Sequence, residues 1–237
     1  MSMRLNKYVA HAGICSRRKA VDLVKNGEVS VNGKVEKNPA YEIQKGDKVQ
    51  YNGKEIKTES KKVYILMNKP KNTLTTVTDD RGRRTVMDII NNKVKERIYP
   101  VGRLDRNSTG LLLLTNDGDL AKKLSHPSHG IKKLYHVILH KTVTPSDIDK
   151  IQRGIELEDG LAEVDKINYV DHEPKSEVMI ELHSGKNRII RRIFEHLEYT
   201  VERLDRIYYG GLTKKDLPRG YFRPLEGQEV IMLKHFM

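Results

Sequence analysis

Cysteine is almost missing from this sequence: Cys15 stands alone among 237 residues. One thiol cannot close a disulfide within the chain, which excludes a disulfide-stapled secreted scaffold and fits a reducing cytoplasm. No histidine–acid constellation accompanies Cys15, so it reads as a small packed residue and not as a nucleophile. Long apolar runs are missing too. Nothing approaches the roughly 18 consecutive apolar residues of a membrane span, and the opening MSMRLNKYVA lacks the apolar core of a secretory signal. These absences predict a soluble cytoplasmic protein with no membrane partner, and monomer is the default assembly. There are no internal repeats and no low-complexity tail. Acid is in deficit: 44 Lys+Arg face 32 Asp+Glu, for a net charge of +12. A balance this basic points to a polyanionic partner, nucleic acid first, against the plainer reading of a generically basic surface.

The charge is concentrated. Residues 1–57 carry twelve Lys/Arg against six acids, an excess of +6, which is half the net charge in a quarter of the length. KTESKK at 57–62 reads as a linker, which divides the chain into 1–60 and 61–237. In the first part Leu5, Val9 and Ala12 share one helical face, and Ser16 is placed to cap a second helix with Ala20, Leu23 and Val24 inward. Asn26-Gly27 ends that helix. VSVNGKVE and GDKVQYNGKEI each carry the Asn-Gly signal of a hairpin. In the second part VYILMNK (63–69), LLLLT (111–115), LYHVILHKTV (134–143) and EVMIELHSG read as strands. DLAKKLSH (119–126), a segment from Thr144-Pro145-Ser146 to about 153, and NRIIRRIFEHL read as helices, the last with Ile189, Ile190, Ile193, Phe194 and Leu197 inward. The fold class is α+β with much sheet.

Two regions carry chemistry. Ser16, Arg17, Arg18 and Lys19 stand at a helix start, where backbone N–H groups and cations together suit phosphate oxygens; the alternative is an ordinary solvated charge run. GRLDRNSTGLLLLTNDGD (102–119) sets Asp105 between Arg103 and Arg106 at the mouth of four leucines. As a calcium loop it begins well with Asp105, Asn107, Thr109 and Gly110. It then fails, because the twelfth position is Asn116 instead of a bidentate Glu. No metal is expected. As plain structure the three charged residues would form surface pairs worth about 0–1 kcal/mol each. As chemistry, a carboxylate over an apolar floor could act as nucleophile or base, with a bidentate arginine to keep it ionised. Tyr135, in KLY, could offer a ring face to an unstacked base or be ordinary sheet core. Arg188, Arg191 and Arg192 share one helix, two of them expected to face solvent or phosphate. Lys69-Pro70 closes a strand.

RLNKYVAHAGICSRRKAVDLVKNGEVSVNGKVE resembles the S4-like RNA-binding domain over about residues 3–50, with its SRR and VNG elements in the family's places. The resemblance implies RNA and not DNA. Arg4, Lys7, Ser16, Arg17, Arg18 and Lys19 are then the expected contacts. GRLDRNSTGLLLLTNDGDLA resembles the signature of the RsuA/RluB branch of pseudouridine synthases. With NKP, the K-x-Y element, SGKNRIIRRIF and RLDRIYYGGL, that similarity spans nearly the whole chain. It implies a mixed, mainly antiparallel-sheet catalytic domain behind the small RNA-binding domain. It implies Asp105 as the essential catalytic residue, Tyr135 as the tyrosine of K-x-Y, Arg191 as the partner of Asp105, and Leu204 as the apolar residue of the third motif.

Lys71 stands where the family usually has Gly after NKP, and Ile189 where it has Gln or Glu. RGRRTVMDII and LPRGYFRPL look most like the large-subunit (23S) ribosomal RNA enzymes, with the small-subunit enzymes close relatives. The implied reaction isomerises uridine to pseudouridine in ribosomal RNA with no cofactor. The target base leaves its stack, at a cost of a few kcal/mol, and stacks on Tyr135. Leu204 completes the apolar wall, and Lys69, Arg103 and Arg188 join the RNA contacts. Whether Asp105 attacks or accepts a proton stays open. A non-catalytic ribosome-assembly protein and a metal-dependent nuclease are the competing classes.

Overall fold

The computed structural model describes residues 3–91 and 93–235. They form two compact units, Met1–Lys62 with Lys95–Arg97, and Val63–Val94 with Ile98–Met237.

In the first unit, helices Leu5–His11 and Arg17–Lys25 bury Leu5, Val9, Ala20, Leu23 and Val24 together with Cys15. The Ser16 hydroxyl accepts the Lys19 N–H at 3.2 Å, the capping bond its position predicts. Strands Val29–Val31 and Lys34–Val35 form one hairpin, and Val49–Tyr51 and Lys54–Glu55 another, in a single four-stranded sheet. Asn32-Gly33 (φ +51°, +78°) and Asn52-Gly53 (φ +47°, +75°) take the paired positive φ that such tight hairpins require. A short pairing of Met3–Arg4 with Glu42–Ile43 has no signal in the sequence.

The second unit is built, among the described residues, on a nine-stranded sheet. Its main order is Lys166–Tyr169, Glu177–Leu182, Lys133–Leu139, Val201–Tyr209, Thr109–Thr115, Tyr64–Lys69, Phe222–Pro224. Leu111 to Leu114 are all fully buried, because both faces of their strand are covered. Leu111 and Leu113 pack with Leu120 and Leu124, and Leu112 and Leu114 with Val86 and Ile90. A strand covered on both faces has no reason to alternate. The strand expected over 134–143 ends at Leu139, where a register shift after Ile138 turns the chain away and the His140 N–H goes to the Thr200 carbonyl. The helix Val86–Ile90, the hairpin Ile155–Leu157/Gly160–Ala162 and the helix Gly227–Lys234 are additional to the sequence reading. No helix among the described residues is long and apolar enough to cross a membrane.

Thr109–Thr115 and Val201–Tyr209 pair in parallel, Asp205 with Thr109 and Arg206 with Gly110, amid otherwise antiparallel neighbours. Asp205 ties this junction down. Its carboxylate accepts Thr109 Oγ1 (2.9 Å), both terminal nitrogens of Arg219 (2.8 and 2.9 Å) and Lys214 Nζ. Burial alone would raise this carboxyl, but the Arg219 and Lys214 bonds outweigh it and hold it at about 2. A folded-state value below the unfolded one means stability that is present above pH ~4 and lost as pH falls towards 2. Asp205→Asn is expected to lose about 2 kcal/mol at pH 7. Urea unfolding of both proteins from pH 7 downward should show that gap narrowing below pH ~4; a gap that ignores pH would refute it.

Candidate active site

Asp105 lies in the turn between Tyr99–Pro100 and Thr109–Thr115. The turn is held from beneath by its backbone. Leu104 is buried, and its carbonyl accepts Thr75 Oγ1 at 2.7 Å. The Thr73 N–H reaches the Arg106 carbonyl, and the Ser108 N–H the Asp105 carbonyl. Below them sits Lys69. Its side chain is completely buried, and Nζ donates to the carbonyls of Pro70 (3.1 Å), Asp105 (3.0 Å), Arg106 (3.3 Å) and Ser108 (2.7 Å). The expectation that Lys69 meets RNA is therefore corrected. A cation enclosed by four carbonyls cannot reach a phosphate; it fixes the loop that carries Asp105. Burial pulls its ammonium down to about 8, with the Asp105 charge opposing and Arg219 and Arg206 adding.

Lys69→Met tests that role. The carbonyl bonds lost and the burial cost relieved are each a few kcal/mol and of opposite sign, so net stability at pH 7 should change by less than about 1.5 kcal/mol. Turnover should fall at least about tenfold, because about 1 Å of misplacement at a reacting group is enough for that. Between pH 8 and 10.5 the unfolded chain binds a proton at Lys69 that the folded one does not, so over that range the wild type gains stability relative to the variant. Urea midpoints across that range and single-turnover rates check both halves.

The helix Ile189–His196 supplies the facing charges. It starts after Arg188, which takes a left-handed conformation (φ +48°), and it buries Ile189, Ile190, Ile193 and Phe194. That packing leaves Arg191 half-buried, with Nη1 on the Val201 carbonyl (2.9 Å) and Nε 3.9 Å from Asp105 Oδ2. Arg188 Nη1 stands 3.7 Å from the same oxygen and also reaches Glu195. Two guanidiniums, Arg191 as the resemblance implies and Arg188 beside it, thus face one carboxylate at ion-pair range and not in bidentate bonds. Burial lowers the Arg191 guanidinium, and Arg188 adds to the effect. Arg188, expected on RNA, stands at the carboxylate as well as being exposed. Arg192, open to solvent or phosphate in the sequence reading, is occupied by Asp159 (3.0 Å).

Asp105, Tyr135, Arg188 and Leu204 line one cleft, with Arg103 at its exposed edge. Tyr135 comes from the strand Lys133–Leu139 and is half-buried; Leu204 is opposite Val137 on the neighbouring strand. The same cleft includes Lys133 and Arg206, two buried cations to which the sequence reading gives no role. Both fall inside quoted motifs, K-x-Y and RLDRIYYGGL, beside the residues that drew the assignments. In the first unit Arg4, Ser16, Arg17, Arg18 and Lys19 are exposed and Lys7 is partly covered.

A family model for RNA pseudouridylate synthase matches residues 63–196, and one for the S4 domain matches residues 3–49. A ribosomal large subunit pseudouridine synthase B from Bacillus subtilis (strain 168) is 40% identical over 98% of this chain and 95% of its own length. The chain belongs to the pseudouridine synthase family. A ribosomal large subunit pseudouridine synthase B from Vibrio vulnificus (strain CMCP6) is 36% identical to this synthase, over all of this chain and 76% of its own. A solved pseudouridylate synthase, 24% identical, superposes with a TM-score of 0.70 over 98% of this synthase and all of that chain; it shares the fold. The synthase is an isomerase, with an S4 domain ahead of a catalytic domain of mainly antiparallel sheet.

Proposed function

We propose that this synthase isomerises one specific uridine of ribosomal RNA, in the 23S molecule, to pseudouridine, with Asp105 as the reactive carboxylate. The observation that supports this most is the placement of Asp105. It stands on a backbone-anchored turn at the edge of a cleft, 3.7 and 3.9 Å from two guanidiniums. Those cations face the carboxylate without capping its oxygens with short bonds, so it stays available to a substrate. Tyr135 stacks on the extruded base, Leu204 packs its other side, and Arg191 orients the carboxylate. The exposed Arg103 and Arg188 meet phosphates at the mouth. Arg4, Lys7, Ser16, Arg17, Arg18 and Lys19 anchor the RNA on the S4 domain. The large-subunit assignment draws on the Bacillus and Vibrio relatives, which are large-subunit enzymes by name. The isomerisation needs no group donor and no redox partner.

The test is pseudouridine mapping by carbodiimide-dependent reverse-transcription stops on unmodified 23S and 16S rRNA and on large-subunit assembly particles. A single new stop in 23S rRNA is expected. A stop in 16S rRNA alone would move the substrate to the small subunit, and no stop on any of them would sink the reading.

A further inference from the structure

Lys133 and Arg206 are 9% and 3% exposed and border the cleft that holds Asp105 and Tyr135. Among the described residues neither forms an ion pair with a carboxylate. Lys133 Nζ donates to the His183 and Ser184 carbonyls (2.8 and 3.1 Å). Arg206 Nε donates to the Leu111 carbonyl (2.7 Å), its guanidinium lies over the Tyr209 ring at 4.6 Å, and Nη2 is enclosed with no partner. Burial draws the Lys133 ammonium down to about 8, and Arg206 repels it further; Asp165 pulls the other way but is itself bonded to His183 Nδ1 (2.6 Å). At neutral pH the Lys133 ammonium remains charged.

Two buried like charges that repel each other, one with an orphan donor, are a cost to the fold. The arginines at the mouth, Arg188 and Arg191, are offset by Asp105. Among the described residues no carboxylate is paired with either cation of the floor; Asp165 acts on Lys133 without bonding it, and the other contacts are neutral carbonyls and the Tyr209 ring. A ligand that enters this cleft meets a preorganised positive potential from two buried cations, and such potential acts most strongly on charge that develops during reaction.

We propose that Lys133 and Arg206 form a cationic floor that stabilises negative charge on the pyrimidine ring of the target nucleoside. The inference rests on the reading that the extruded uridine occupies this cleft. Moving the glycosidic bond breaks C1′–N1, leaves that electron pair on the ring and its O2 and O4, forms C1′–C5 with it, and transfers the C5 proton to N1. Nothing is oxidised or reduced. The ring is neutral before and after, so the floor favours the intermediate stage over bound substrate or product.

The experiment uses an RNA spanning the mapped uridine, made with uridine or with 5-fluorouridine at that position. The fluorine withdraws electrons and so relieves the demand for external stabilisation. Single-turnover consumption of the target nucleoside and RNA affinity are measured for wild type, Lys133→Met and, in case one variant fails to fold, Arg206→Gln. Each variant should slow uridine conversion about a hundredfold, keep RNA affinity within about threefold, and lose at least tenfold less on the fluorinated RNA. Equal losses on both RNAs would make these residues props for the loop at 183–185 and overturn the floor. Affinity falling in step with rate would make them phosphate contacts and also overturn it. If the wild type consumes neither nucleoside, the occupancy of the cleft falls first and the floor with it.

Discussion

Asp105→Asn should cut turnover by about a thousandfold or more while leaving the fold and RNA affinity nearly as they are. The substitution preserves shape and removes the charge, so the amide can neither attack nor take up a proton at neutral pH. The structural loss is small for a stated reason. The carboxylate is about a third exposed, and its ion pairs are 3.7 and 3.9 Å long. Exposed pairs of that kind contribute about 0–1 kcal/mol. The position of the turn depends on the backbone carbonyls of 105, 106 and 108, which the substitution does not touch. Single-turnover conversion, filter binding and urea midpoints on one preparation separate these quantities. Wild-type rates in the variant would remove Asp105 from the chemistry. A large drop in midpoint would show that the side chain is a structural strut instead.

Gly110→Ala should be the most damaging single methyl group in the catalytic domain. Gly110 has φ +105°, and a Cβ there would fall against the Arg206 carbonyl oxygen and 2.5 Å from the Arg206 nitrogen. Both are backbone atoms in a paired strand, so no rotamer change can relieve the contact. The expected loss is more than about 4 kcal/mol, a large share of the 5–15 kcal/mol that holds a typical domain together. Gly102→Ala is the matched control. Gly102 also has positive φ (+69°) but has open space around it, so only backbone strain of about 1–2 kcal/mol applies. Thermal unfolding of the two variants isolates the collision from the strain. If Gly110→Ala melts no lower than Gly102→Ala, the parallel junction is not as close as described.

Much of the fold could be read from the sequence because it rests on local physics. The Asn-Gly hairpins, the Ser16 cap, the unbroken leucine strand and the amphipathic face from Ile189 to Phe194 each declare themselves within ten residues. The site was legible up to the residues that such motifs display on a loop or a helix. What escaped depends on distant partners. A lysine at a strand end looks like a surface cation, and three of the four carbonyls that enclose Lys69 come from 36 to 39 residues away. Arg206 follows Leu204 on the same side of its strand, a core-facing place where a charge is not anticipated. The length of the 133–139 strand was overread because the bulge after Ile138 leaves no mark in an alternating sequence.

The grip of Lys69 on main-chain oxygens has a consequence for how such an enzyme can change over generations. Carbonyls are common to all residues, so the anchor is indifferent to which side chains the turn carries. Arg103, Arg106 and Asn107, the exposed members of that turn, sit on a mount that does not read them. A descendant could rewrite all three to suit a different stem or loop without moving Asp105, and a shift of target would not have to begin with a loss of chemistry.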